Sequence, residues 1–327
     1  TEQVLAARSR KTQSRMVLIN GDTKTPNQVV FWTFVAETTW LQGPSRPMIR
    51  GCFGGYFLFK PLIYMDLSAI VLAGERAGPG AVARAAEVPC KALARVGKQA
   101  MLDRVLSTLA RTGRIRECLV VGNPGFESAL APLLEGHSRF ARWQAGDASP
   151  ARSAELAAAE IAPDRAILLT TADHPLLSVG MLDELLSAEA SPDRDVTVAL
   201  VRHREVMARF PDARCTALRF ADDAYCGTNL FLFHTERARR LLREWQQVEQ
   251  ARKTPWRVVG LLGPAAVAAY LTGFLSLPRA LRMLSRRMSL QLGFTLLSDV
   301  RAALDVDTVG DLEFARSLCR DEATVQA

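Results

Sequence analysis

The sequence predicts an α/β protein: a mostly parallel β-sheet with helices on both faces, plus a helical insertion towards the C-terminus. Three observations lead there. From residue 66 onward, short apolar runs alternate with stretches of helical spacing. Several of those runs are apolar at every position, which is the pattern of strands buried on both faces between helix layers. At 327 residues, 49% hydrophobic and 23% charged, the chain can bury a core as one large domain or two small ones.

The elements follow in order. Residues 69–73 (AIVLA) form a first strand, closed by Gly74. Residues 101–112 have helical spacing, with Met101, Leu102, Val105, Leu106 and Leu109 on one face. Residues 117–121 (ECLVV) form a second strand, closed by Gly122, Asn123 and Pro124. An Ala-rich helix over 151–161 precedes a third strand at 165–170 (RAILLT). A helix at 181–188 leads to a fourth strand at 195–201, and a further strand lies at 229–233. Residues 236–250 form a helix with acidic and basic faces. Residues 251–298 read as helical, rich in Leu and Ala, with Arg279, Arg282, Arg286 and Arg287 beside apolar positions. The closing segment, LDVDTVGDLEFARSL, reads as a short strand and then a helix beginning near Thr308.

Residues 1–64 show neither periodicity. They are expected to be a disordered or non-native extension ahead of a domain spanning 65–327. The other reading is a genuine segment that packs on the domain. The charge divides at the same place. Residues 1–65 hold eight Lys or Arg against three acids, and the remaining 262 residues hold 33 against 31. The net +7 is therefore concentrated outside the expected enzyme domain, which argues against a nucleic-acid partner. The six cysteines form no CxxC pair, so reduced, buried thiols in a cytoplasmic protein are expected. No apolar run reaches the ~20 residues that span a bilayer.

Four constellations carry chemistry. The first is the turn after strand one, Leu72-Ala73-Gly74-Glu75-Arg76, with Lys91 downstream. A strand ending in a glycine loop aims backbone N–H groups at phosphate oxygens, and Arg76 and Lys91 neutralise triphosphate charge. A plain strand–turn–helix connection reads the same way. The second is Asp173-His174-Pro175 after strand three. Ligands of open α/β sheets sit at strand C-terminal ends, and a carboxylate there is placed to hold Mg²⁺; Asp173 reads equally as a turn or capping residue. The third is Gly227-Thr228-Asn229, where Asn229 can donate to a substrate oxygen or close an Asx turn. The fourth is the basic stretch over 252–290, read as a helical subdomain with a solvated Arg face or as a weak membrane-surface contact.

Leu72–Arg76 (LAGER), residues 90–106 (CKALARVGKQAMLDRVL), the Asp-x-Pro at 173–175 and residues 305–315 (DVDTVGDLEFA) together resemble the MobA-like NTP transferase family. The resemblance covers about residues 67–235 and 299–318. It implies a GT-A-like nucleotidyltransferase domain that transfers NMP from an NTP to a phosphorylated small-molecule acceptor, with Mg²⁺ as cofactor and release of pyrophosphate. It implies catalytic roles for Arg76, Lys91 and Asp173, and nucleotide contacts from Leu72 to Arg76, Lys91, Arg152 and Ser153. Acceptor contacts fall to Gly227, Thr228 and Asn229, and metal ligation to Asp173 with Asp307. Asp307-Thr308 followed by Asp311 also reads, and reads more simply, as a helix N-cap with an acidic first turn. Glu75 departs from the family, which usually has a second Gly there. That departure keeps open a nucleotide-binding module without turnover, beside the other alternative of a GT-A glycosyltransferase using a nucleotide sugar.

Overall fold

The computed structural model describes residues 67–75, 80–187, 194–251, 268–270 and 272–325. The expected N-terminal extension, Arg76 and the basic stretch over 252–267 lie outside the described residues.

Strand β1 (Leu67–Leu72) leads by a loop to the short helix α1 (Ala81–Ala85) and a 3-10 turn at Lys91–Leu93. The small hairpin β2 (Arg95–Val96) and β3 (Gln99–Ala100) opens into α2 (Met101–Arg111). Then come β4 (Ile115–Gly122), α3 (Glu127–Glu135), β5 (Ala141–Ala145) and α4 (Pro150–Ala159). Next are β6 (Ala166–Thr171), α5 (Val179–Ser187), β7 (Val196–Arg202) and α6 (His203–Arg209). The chain continues through β8 (Ala217–Arg219), β9 (Ala224–Phe233), α7 (Arg240–Ala251), α8 (Leu277–Met288), β10 (Leu292–Leu296) and α9 (Val309–Val325).

The main sheet has the order β10-β7-β9-β6-β1-β4-β5, with β8 paired to β9. β1 is parallel to both β4 and β6, β4 to β5, and β7 to β10. β9 alone runs against its neighbours. The predicted class, mostly parallel with helices on both faces, is the class found.

Strand side chains alternate between two cores. Leu67, Ala69 and Val71 of β1 face one core, with Leu102, Leu106 and Leu109 of α2 and Leu182 and Leu185 of α5. Ile70 and Leu72 face the other, with Ala154 and Ala157 of α4, Leu241 and Trp245 of α7, and Leu281 and Leu284 of α8. Each large side chain so buried contributes roughly 1.5–3 kcal/mol. The small residues of α4 let that helix lie close to the central strands.

Three expectations are corrected, and one of two open readings is favoured. Residues 251–298 are not helical throughout, because β10 forms within them and lengthens the sheet beside β7. Its alternation of Leu292, Phe294 and Leu296 with Gly293 and Thr295 is a period of two, hidden inside a Leu-rich stretch. No strand forms at 304–306, since the Val306 N–H bonds to the Asp173 carbonyl (2.9 Å) instead of joining a ladder. The thiols are not all reduced: Cys215 and Cys226 form a disulfide between the approach to β8 and strand β9. Finally, α8 turns Leu277, Leu281 and Leu284 into the sheet and leaves Arg279, Arg282, Arg286 and Arg287 exposed. Its apolar stripe is covered, so for this helix the packed subdomain replaces the membrane-surface reading.

One buried carboxylate ties the β7 side of the sheet together. Asp195 Oδ1 accepts from Thr235 Oγ1 (2.6 Å) and Arg237 Nε (2.6 Å), and Oδ2 accepts from Gln291 N (2.7 Å). The start of β7, the end of β9 and the approach to β10 thus meet on one side chain. Asp195→Ala is expected to lower unfolding stability by about 2–3 kcal/mol in urea, as buried donors lose their acceptor. Burial raises this carboxyl's pKa, but the Arg237 and Thr235 hydrogen bonds prevail and hold it below its ordinary 3.8. Its contribution is therefore full above that value, and the gap between wild type and variant should close as the pH falls below it.

Candidate active site

Four parallel strands, β1, β4, β5 and β6, end on one rim. There the chain leaves β1 held on both sides: Ala73 N donates to Val121 O (2.8 Å) and Ala172 N to Leu72 O (3.0 Å). Gly122 makes this closeness feasible, since a Cβ at that position would lie 2.9 Å from the Ala73 carbonyl. Leu72 and Ala73 are buried in the wall, and Gly74 is exposed at the mouth.

Glu75 does not face outward. Its Oε1 accepts from Gly80 N (2.6 Å) and its Oε2 from Lys91 N (2.7 Å). The carboxylate that departs from the family pattern therefore closes its own loop and fixes the backbone of Lys91. From that anchor the Lys91 ammonium reaches Asp173 Oδ2 at 2.5 Å and Asp307 Oδ1 at 3.2 Å. Residues far apart in sequence are brought together by the ends of β1 and β6 and by the tail.

The tail is docked by the Val306–Asp173 backbone bond, which sets Asp305 and Asp307 beside Asp173. The helix cap expected at Asp307 belongs to its neighbour. Thr308 Oγ1 accepts from Asp311 N (3.2 Å), and Asp311 Oδ2 accepts from Thr308 N (2.7 Å), a reciprocal capping box. Asp307 is thereby left to Lys91. Asp305 is the residue that sequence reasoning missed. Its signal was the spacing of two from Asp307, which in extended backbone puts both carboxylates on one side.

β9 contributes through a bulge. Its register against β7 shifts between Val198 and Leu200, and Asn229 within the bulge has φ +53°. Asn tolerates this left-handed conformation better than most residues. The kink aims Asn229 Nδ2 at Asp305 Oδ2 (3.2 Å). Gly227 stays in the ladder, and Thr228 Oγ1 donates to the Ala199 carbonyl (2.8 Å), so of the three expected acceptor residues only Asn229 reaches the cluster.

Arg152 and Ser153 do not reach it. Arg152 pairs with Glu155 (2.6 Å). Ser153 Oγ accepts from Asp147 N (2.9 Å) and donates to Asp147 O (3.1 Å), pinning the loop between β5 and α4.

The electrostatics follow from one ammonium among three carboxylates. Burial lowers the Lys91 pKa, but Asp173 and Asp307 raise it by more, so the amine stays charged. Burial opposes ionisation of Asp173, yet Lys91 holds it ionised. Asp305 is raised well above the usual range, first by burial and then by the charges of Asp307 and Asp173. Asp307 is pushed up to about 6, mainly by burial, with Lys91 opposing and Asp173 adding. His174 is brought down to about 4 by burial and adds no charge at neutral pH. The cluster carries more carboxylate than its lysine balances, a condition that a divalent cation relieves.

A doubly covered, mostly parallel sheet with these groups gathered where its strands end is an α/β transferase domain of the GT-A-like kind. The chain belongs to the MobA-like NTP transferase domain family, a nucleotidyltransferase family, whose pattern matches residues 69–260. A hypothetical transferase from Thermus thermophilus is similar at 27% identity and TM-score 0.62, covering 76% of this chain and 100% of its own. The fold is shared with 4-diphosphocytidyl-2C-methyl-D-erythritol synthase from Anaerococcus prevotii DSM 20548, at 13% identity and TM-score 0.51, over 79% of this chain and 99% of that one. It is shared too with a CMP:2-keto-3-deoxy-manno-octonic acid synthetase complexed with CTP, at 13% identity and TM-score 0.50, over 79% and 99%. No curated protein matches the sequence. Among the described residues, no helix is long and apolar enough to cross a membrane.

Glu75→Ala removes the acceptor of two backbone amides at once. Hydrogen bonds to a charged group are worth about 1.5–3 kcal/mol each, so amide exchange at Gly80 and Lys91 should speed up at least about tenfold in the variant. Hydrogen–deuterium exchange with fragment resolution reads it, and unchanged protection at both amides would show that the loop is held by something else.

Proposed function

We propose that this chain transfers a nucleotidyl group from an NTP to a phosphorylated small-molecule acceptor and releases pyrophosphate, with Mg²⁺ as cofactor. The observation that supports it is the Lys91 ammonium held between Asp173 and Asp307 at the rim where the parallel strands end, in a chain of this family. An oxygen of the acceptor phosphate attacks the α-phosphorus in line. The bond from that phosphorus to the bridging oxygen breaks, and pyrophosphate departs with the electron pair.

The residues present suit the metal. Among the described residues Asp173 Oδ1 is buried without a hydrogen-bond partner, and carboxylate oxygens are the hard donors that Mg²⁺ takes. Among the described residues, no three His, Cys, Asp or Glu side chains form a complete cage. Asp173 and Asp307 would hold the ion, and bound there it neutralises charge on phosphate oxygens.

The protein's own groups do the rest. Gly74 lets the backbone approach the triphosphate, and Lys91 stabilises the charge that builds during transfer. Arg76 belongs to the same role by its place in the loop. Asn229, whose Nδ2 donates to Asp305, would orient the acceptor. Glu75 holds the Lys91 backbone and so sets the angle from which the ammonium works.

Pyrophosphate release with each of four NTPs, Mg²⁺ and a panel of phosphorylated acceptors tests this. One NTP should turn over, and chelation of the metal should stop it. Asp173→Asn and Lys91→Ala should each lower kcat/KM about 10²–10³-fold. NTP binding without pyrophosphate across the whole panel would leave a nucleotide-binding module and end the transferase reading.

A further inference from the structure

A cavity of about 750 Å³ lies beside the turn that follows Asp173, and it shares no lining residue with the Lys91 cluster. Its wall carries Arg104 and Arg111 from α2, Arg209 from the end of α6, and Arg301 from the segment before the tail. Against these stands one lining carboxylate, Asp299. Asp299 is already engaged, since Arg301 Nε (3.0 Å to Oδ1) and Nη2 (2.7 Å to Oδ2) grip it in a bidentate pair. Arg104 uses its Nε on the Pro175 carbonyl (2.7 Å), which fixes the side chain at the cavity wall. Among the described residues, no carboxylate pairs with Arg104, Arg111 or Arg209.

Among the described residues these three guanidinium groups line one hollow without a carboxylate partner, a position that an oxyanion can take. The planar fork of arginine matches phosphate oxygens two at a time. The remaining lining is mixed, with Gln99, Ser107, Thr108 and Ser178 beside an apolar side. Leu176 and Phe210 belong to a small buried cluster that Leu318 also packs against, and all three face the cavity. A bare inorganic ion would leave that floor wet, whereas an anion with an apolar body covers it.

We propose that this cavity is a second, non-catalytic anion site that binds a phosphate monoester carrying an apolar group. The site touches the two segments that build the cluster. One is the turn 174–178 leading out of Asp173, and the other is the stretch from Asp299 towards Asp305 and Asp307. Through these segments an occupied cavity would bear on the carboxylates, an effect that rests on the function proposed above for that cluster.

The test is isothermal titration of the full chain at low salt with phenyl phosphate, inorganic phosphate and citrate as probes. Phenyl phosphate should bind about tenfold tighter than inorganic phosphate, because it covers the apolar floor. The double variant Arg111→Ser with Arg209→Ser alters two exposed side chains, so its fold should be kept, as circular dichroism will show. It should weaken phenyl phosphate binding at least about tenfold. Lys91→Ala should retain that binding, shifted far less than in the arginine variant, since it alters the coupled cluster and not the cavity. Binding lost in Lys91→Ala but kept in the arginine variant would put the anion at the catalytic cluster and overturn the proposal. No binding of any probe would overturn it too, as would citrate or inorganic phosphate binding as tightly as phenyl phosphate.

Discussion

Everything at the rim of this sheet is organised around an unequal charge count: one ammonium, Lys91, set among the carboxylates of Asp173, Asp305 and Asp307. Burying such a group costs several kcal/mol per ion unless geometry and hydrogen bonds compensate. The protein compensates in part, by the short Lys91–Asp173 contact, and leaves the remainder as raised pKa values on Asp305 and Asp307. On the reading proposed above, that remainder is what a bound cation would offset.

The fold serves this arrangement element by element. Parallel pairing of β1 with β6 puts the Glu75 loop and Asp173 on the same edge. Glu75, unusual at its position, becomes intelligible as a clamp: it consumes two backbone amides and delivers Lys91 at the correct height. The tail arrives by a single backbone bond to Asp173, and the capping box at Thr308 and Asp311 starts α9 without drawing on Asp307. The bulge in β9 lets one strand serve two purposes, with Thr228 closing the ladder against Ala199 and Asn229 turned out of it towards Asp305.

Much of this was legible from residues alone. The strands at β1, β4, β6 and β7 were visible because burial on both faces forces them to be apolar at nearly every position, which leaves little ambiguity about their place in the sheet. Asp173 was visible because it stood next to a strand end, and Lys91 because its place downstream of the glycine loop matched the family pattern. Other features failed for identifiable reasons. β5 is an edge strand with exposed Arg142, so its apolar signal is thin. β10 was masked by neighbouring leucines. Asp307 was obscured by Thr308, since an Asp-Thr pair ahead of a helix offers two capping side chains and only coordinates tell which is used. Arg152 and Ser153 failed in the opposite way: their types suited a nucleotide, but Glu155 and the Asp147 backbone held them. The Cys215–Cys226 disulfide joins residues eleven apart, a separation that carries no signal until β8 is seen folding back on β9.

The proposed cavity site and the cluster would also constrain each other. Pro175 follows closely on Asp173 in the chain and offers its carbonyl to Arg104, while Asp299 and Arg301 fix the start of the segment that ends in Asp305 and Asp307. A rigid connection of this kind cannot pass influence in one direction alone. If an anion in the arginine cavity shifts the turn at Pro175 so that the carboxylates hold a cation better, then by linkage a cation on those carboxylates must tighten the anion by the same factor. The sign depends on whether Arg104 releases or grips the Pro175 carbonyl as its guanidinium turns to the ligand. A grip that slackens frees the Asp173 turn, and a grip that holds stiffens it. Because Arg104 binds that carbonyl through Nε, its two terminal nitrogens can meet an oxyanion without breaking the bond. The geometry therefore favours stiffening, with an occupied cavity that holds Asp173 in place for its work.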